Sequence, residues 1–210
     1  MKSVLAAVAA LSIVTGAASS ALALTPAVEY TSADQATDSR PFSIGYVFDL
    51  TSAVTVDALA YWDDGLANSH QVGIWDVVGN LLVSTTVAGD DTLVGHFRWD
   101  SVAPVTLAAG RYTIAGEFLG NLFPVSATGI TNIAQYSYVG SVQSQGGFQQ
   151  PTDSFGADYG GNGLIVANFS VVSGSVADAI PEPATWGLMI LGFGGIGAVL
   201  RRRRDASVFA

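Results

Sequence analysis

The chain has 210 residues, half of them apolar, and a formal charge of −9; that is room for one ordinary domain with a sizeable core, and too apolar for disorder throughout. Five of its eight basic residues, Lys2 and Arg201 to Arg204, stand at the two ends, while between Leu24 and Ile180 only Arg40, Arg98 and Arg111 face 15 acidic residues, a balance of −12. A body so acidic repels phosphate backbones, which argues against nucleic acid as a partner, and the lack of cysteine excludes disulfide staples and thiolate sites while suiting export to an oxidising compartment.

In chain order, residues 1–23 read as a secretory signal peptide: Lys2, an apolar run from Val4 to about Ala18, then the small-x-small triplet Ala21-Leu22-Ala23 as the cleavage site. The mature chain then begins near Leu24. Ile44, Tyr46, Phe48 and Leu50 recur with the period of two that predicts a half-buried strand, and Val54 to Trp62 continues in strand-forming residues. Gly79-Asn80 between the runs of Gly73 to Val87 predicts a hairpin turn. Gly95, Phe97 and Trp99 alternate with His96 and Arg98, which places the aromatic rings inward and the two bases outward. Tyr112, Ile114, Gly116 and Phe118 share one face of a further strand, and Leu164 to Val172 supplies a closing one.

Between them, Asn121 to Gly163 is rich in glycine, serine and glutamine (Gln143, Gln145, Gln149, Gln150) and reads as long loops on the rim, interrupted by a strand at Ile133 to Val139. Short strands at this spacing, without a convincing amphipathic helix, predict an all-β, antiparallel, jelly-roll-like β-sandwich over residues 24–175.

The C-terminal quarter changes character. Small residues lead into a linker at 176–183 that ends in Pro181-Glu182-Pro183, two prolines that cannot continue a helix. Ala184 to Leu200 is a run of 17 uncharged residues, about 25 Å of helix and so a short membrane span. Trp186 sits where an interfacial anchor is expected, and Arg201, Arg202, Arg203 and Arg204 act as a stop that keeps residues 205–210 cytoplasmic. The expected transmembrane segment with its stop is 184–204.

Together, Pro181-Glu182-Pro183, Trp186, the glycine-rich span and the arginine run resemble a PEP-CTERM sorting signal, the tail read by bacterial exosortases, in its Gram-negative form; tails of this type also occur on proteins labelled ice-binding. The resemblance implies export with signal peptidase and exosortase as partners. It further implies transient retention in the inner membrane, cleavage near the triplet, and transfer to the cell surface or the medium, often in bacteria that make exopolysaccharide. Nothing in the body forms the regular threonine array an ice-binding face favours. From Val54 to Phe118, Tyr61-Trp62, Val72-Gly73-Ile74-Trp75-Asp76, Gly79-Asn80-Leu81-Leu82, Pro104 to Leu107 and Gly110-Arg111-Tyr112 resemble a β-sandwich domain of unknown function found in exported bacterial proteins; no activity comes with it.

For chemistry the body offers little. His70 and His96 lie in no metal spacing. Ser69 and His70 with Asp63 or Asp64 can be drawn as a hydrolytic triad, but no GxSxG elbow accompanies them and a solvated loop is the expected reading. Asp63-Asp64-Gly65 lacks the Asp-x-Asp-x-Asp-Gly pattern of a calcium loop and reads as an acidic turn. The sequon Asn168-Phe169-Ser170 falls in a buried strand. Trp62, Trp75, Trp99, Tyr61 and Tyr136 offer sugar-stacking faces but are expected in the core. The expectation is a non-enzymatic exported module without cofactor or metal, associated with exopolysaccharide; a polysaccharide-acting enzyme and a purely structural matrix subunit stay open as alternatives.

Overall fold

A computed structural model of the chain describes residues 24–120, 122–155 and 164–172. The expected signal peptide with Ala21 and Ala23, the Pro-Glu-Pro linker, the expected membrane span and the expected arginine stop therefore lie outside the described residues. The chain divides into two units, Met1–Val172 and Ser173–Ala210, and every described residue belongs to the first.

Among the described residues all regular structure is β, and all strand pairing is antiparallel. In chain order the strands are β1 (Val28–Glu29), β2 (Ser32–Thr37), β3 (Phe42–Leu50), β4 (Val54–Trp62), β5 (His70–Asp76), β6 (Leu81–Val87) and β7 (Thr92–Val94). There follow β8 (Phe97–Leu107), β9 (Gly110–Phe118), β10 (Leu122–Thr128), β11 (Thr131–Asn132), β12 (Tyr136–Gln145), β13 (Asp153–Ser154) and β14 (Ala167–Val171). They form a six-stranded sheet in the order β13-β12-β3-β9-β5-β6, a four-stranded sheet in the order β14-β4-β8-β7, and two small pairs, β1-β11 and β10-β2. The two larger sheets face each other in a sandwich-like body.

What joins them is aromatic. Phe48 on β3 is fully buried and meets Phe169 of the opposite sheet at 5.0 Å between ring centroids, with Tyr136 at 5.6 Å and Tyr112 at 5.8 Å. These rings come from β3, β9, β12 and β14, so segments far apart in sequence share one core. Burying rings of this size, each shedding 150–250 Å² of surface, is the main favourable term in holding the sheets together.

β3 departs from its expected half-buried pattern, because Phe42 to Tyr46 is buried on both faces. The second cover is the glutamine-rich segment, which is not a rim loop. Residues 146–152 lie across the outer face of the six-stranded sheet: Ser43 Oγ donates to the carbonyl of Gln149, Gly146 N to Pro41 O at 3.1 Å, and Gln150 Nε2 to Asp76 O at 3.1 Å, while Phe148 packs on Trp75 at 5.1 Å. Gly73 lies beneath, where a Cβ would stand 2.8 Å from both Phe148 and Leu81.

The expected strand at Ile133 to Val139 is likewise corrected. β12 starts at Tyr136, extends to Gln145 and pairs with β3 along its length, with an irregularity between Tyr138 and Gly140. The same region also supplies β10, β11 and β13.

Phe97 and Trp99 are buried as expected, but on the opposite face. Tyr61 of β4 points at the six-stranded sheet, its ring stacked on His70 at 3.9 Å, and its antiparallel partner on β8 is Arg98. Arg98 and Asp100 thus face between the sheets, where Asp100 accepts a hydrogen bond from Thr85 of β6. Phe97 and Trp99 point away and are covered by the N-terminal segment, with Tyr30 edge-on to Phe97 at 5.8 Å and stacked on His96 at 4.5 Å. That segment also runs along β14: Ala27 N donates to Phe169 O at 2.7 Å, Val171 N to Thr25 O at 3.0 Å, and the buried Asn168 side chain to Val28 O at 2.6 Å.

Candidate functional site

The polar residues singled out by sequence converge at one end of the sheets, between the start of β5 and the end of β4. His70 opens β5 and pairs across to Val87, which turns its imidazole inward against Tyr61. It is 5% exposed, so the expectation of a solvated Ser69-His70 loop is corrected: Ser69 is exposed and its neighbour is not. His70 Nδ1 lies 2.8 Å from the carbonyl oxygen of Glu117, and Nε2 lies 3.8 Å from Asp64 Oδ2. Nε2 has no hydrogen-bond partner among the described residues.

The two carboxylates are committed to the turn. Asp64 Oδ1 accepts from Leu66 N at 2.9 Å, and Asp63 Oδ1 accepts from Gly65 N at 3.3 Å and from Arg98 Nε at 3.0 Å. Arg98 also donates from Nη1 to Asp91 O at 2.9 Å, which clamps the β6–β7 connection to the 63–65 turn. Residues Asp63-Asp64-Gly65 thus form an acidic turn, as expected. Among the described residues no group of three or more His, Asp or Glu is arranged to hold a metal ion.

The structure therefore brings His70, Asp63 and Asp64 together and leaves Ser69 out. A hydrolytic triad needs the nucleophile within hydrogen-bond reach of the imidazole, and here both ring nitrogens face other groups. The ring's close parallel stack on Tyr61 makes it a packing element. Arg98 and the Glu117 carbonyl were not read from sequence as parts of this cluster; the pairing of β4 with β8 is what carries Arg98 to Asp63.

The five proposed sugar-stacking rings, Trp62, Trp75, Trp99, Tyr61 and Tyr136, are all buried, as the core reading expected. Burial pushes the Tyr61, Tyr46 and Tyr136 hydroxyls well above the usual phenol range. A cavity of about 180 Å³ near the start of β3 has Phe42, Phe118, Phe123 and Leu164 in its walls. At its mouth Arg40 is held by Asp38, Nη2 to Oδ2 at 2.7 Å, which lowers the Asp38 carboxyl to about 2. The mouth thus presents an ion pair whose opposite charges largely offset each other.

Residues 179–204 match the family model described as the PEP-CTERM protein-sorting motif. No curated protein and no solved structure matches the chain. The matched stretch contains Pro181-Glu182-Pro183, Trp186 and Arg201 to Arg204, so the chain carries a PEP-CTERM sorting motif and is an exosortase-targeted exported protein.

Proposed function

We propose that the chain is a cell-surface or extracellular-matrix protein of a Gram-negative bacterium whose jelly-roll-like body serves, without catalysis, as a module associated with exopolysaccharide. The observation that carries this reading is the sorting motif at 179–204. Signal peptidase removes residues 1–23 on export, the 184–204 segment holds the protein transiently in the inner membrane as a transmembrane helix, and exosortase cuts near Pro181-Glu182-Pro183. Two features of the body support a module over an enzyme. The first is that its polar cluster at His70 spends Asp63 and Asp64 on turn amides and Arg98; the second is that the five candidate sugar-stacking rings are buried, so they form no open catalytic cleft of their own.

Mass spectrometry of the protein recovered from the producing cell tests the sorting step. The expected mature C-terminus lies near Pro183, and Glu182→Ala or deletion of Arg201 to Arg204 is expected to leave uncut protein in the envelope fraction. Recovery of wild-type protein still carrying Trp186 to Arg204 would overturn it. A glycan array run beside a reducing-end release assay tests the body: binding without turnover supports a module, while turnover lost on one carboxyl substitution favours a secreted polysaccharide-acting enzyme. Blank results in both favour a structural matrix subunit.

A further inference from the structure

The turn between β4 and β5 closes over one buried base. The His70 ring lies flat on Tyr61, 4° from parallel. The Glu117 carbonyl oxygen, 2.8 Å from Nδ1, can only accept, so the ring carries a proton at Nδ1 in either charge state. Nε2 then holds a lone pair in the neutral ring and an N–H in the cation. It faces Asp64 Oδ2 at 3.8 Å, and both side chains are buried. The same carboxylate accepts from Leu66 N through Oδ1, so its contact with His70 bears directly on the turn's own hydrogen bond. The other charged groups around the ring are committed or set further back. Asp63 holds Arg98 of β8, and both line the same cleft as His70. Asp91 takes the amide of Ala88, Asp100 is bonded to Thr85 of β6, and Glu117 of β9 adds a negative charge that reaches Tyr61. On β6 the residue paired with His70 is the apolar Val87.

We propose that the turn at 63–69 is a proton-operated latch: uptake of one proton at His70 Nε2 replaces a lone pair aimed at a carboxylate by an N–H that donates to it, and the turn closes more firmly on β5. The cation has both of its N–H groups bonded, one to the Glu117 carbonyl and one to Asp64, and it keeps the Tyr61 face, whose quadrupole attracts a cation. A carboxylate accepts from several donors, so Asp64 keeps Leu66 N while it receives His70. In the neutral ring the same approach sets lone pair against lone pair, and a buried acceptor stays unmatched. Histidine is the side chain that changes charge between about pH 5 and about pH 8, so the latch is firm on the acid side of that range and slackens as pH rises through it. An exported protein meets the pH of its surroundings and not that of the cytoplasm. Because Asp63 of the same turn holds Arg98, and Arg98 holds the carbonyl of Asp91, the latch also steadies the β6–β7 connection.

Hydrogen exchange of the exported full-length protein, followed by mass spectrometry at 63–69 and corrected for intrinsic exchange, reads the latch. Between about pH 8 and about pH 5, exchange of the turn relative to β3 is expected to slow about fivefold in the wild type, the effect of gaining one charge-assisted hydrogen bond. His96→Gln, which removes the only other histidine, is expected to behave the same way, and His70→Gln to abolish the response. Asp64→Asn is expected to reverse it: the amide oxygen keeps Leu66 N while the amide nitrogen donates to the neutral Nε2, so the turn is firmer at the alkaline end and loosens as the ring is protonated. A merely structural role for these side chains changes the level of exchange and not its direction with pH. Wild-type exchange that does not vary with pH relative to β3, a response that survives in His70→Gln, or one of unchanged sign in Asp64→Asn would overturn the proposal. Should His70→Gln fail to fold, the sign in Asp64→Asn decides.

Discussion

Gly116 shows how closely single positions are fitted. It lies on the inner face of β9 directly under Tyr61, where an added Cβ would stand 2.5 Å from two ring carbons. The ring cannot yield, because its other neighbour is the imidazole of His70, itself held by the Glu117 carbonyl. Gly116→Val is therefore expected to lower stability by about 1–3 kcal/mol, the usual cost of overpacking a core, read as a lower denaturant midpoint at unchanged slope. The alternation of Tyr112, Ile114, Gly116 and Phe118 was legible in the sequence. The contact was not, since no local pattern says which ring a glycine has to admit.

At the scale of elements, the segment 146–152 behaves as an outer layer. Phe148 covers Trp75, which is buried on the far side of the sheet from the main core. Phe148→Ala is expected to cost about 1–2 kcal/mol, less than the roughly 3–5 of a fully buried phenylalanine because this ring is half-exposed, and to shift tryptophan emission to the red as Trp75 meets water. β4 was readable to the residue, from Val54 to Trp62, and so was the turn at Gly79, whose φ of +97° a glycine adopts without strain. β12 was harder to see. It is built of Tyr, Ser, Gly, Val and Gln, and its strand character comes from pairing with β3, a tertiary cause that local propensity does not record. The facing of Phe97 and Trp99 was misread for a related reason: both faces of the four-stranded sheet are covered, so alternation identifies buried residues without telling which layer they enter.

For the molecule as a whole, the tyrosines set an alkaline limit. Tyr30, Tyr46, Tyr61 and Tyr136 all have hydroxyls raised by burial above the ordinary value of 10.0. Above that value the unfolded chain gives up protons that the folded one keeps, so stability is intact below pH about 10 and falls as pH rises beyond it. A spectrophotometric titration is expected to show these four ionising together with loss of the far-UV β signal, after the accessible phenols have titrated; ionisation of all of them near pH 10 with the fold intact would contradict the burial. The sorting motif at 179–204 was the most legible feature of the sequence, since charge, hydropathy and a proline pair encode it locally. The body's chemistry stayed illegible because its polar residues acquire their roles only where β4, β5 and β8 meet.

The backbone bond from Val171 to Thr25 has a mechanical corollary. The first and last described stretches of this unit run side by side on a single margin, so a pull applied to both at once meets at one spot and does not stretch the domain between them.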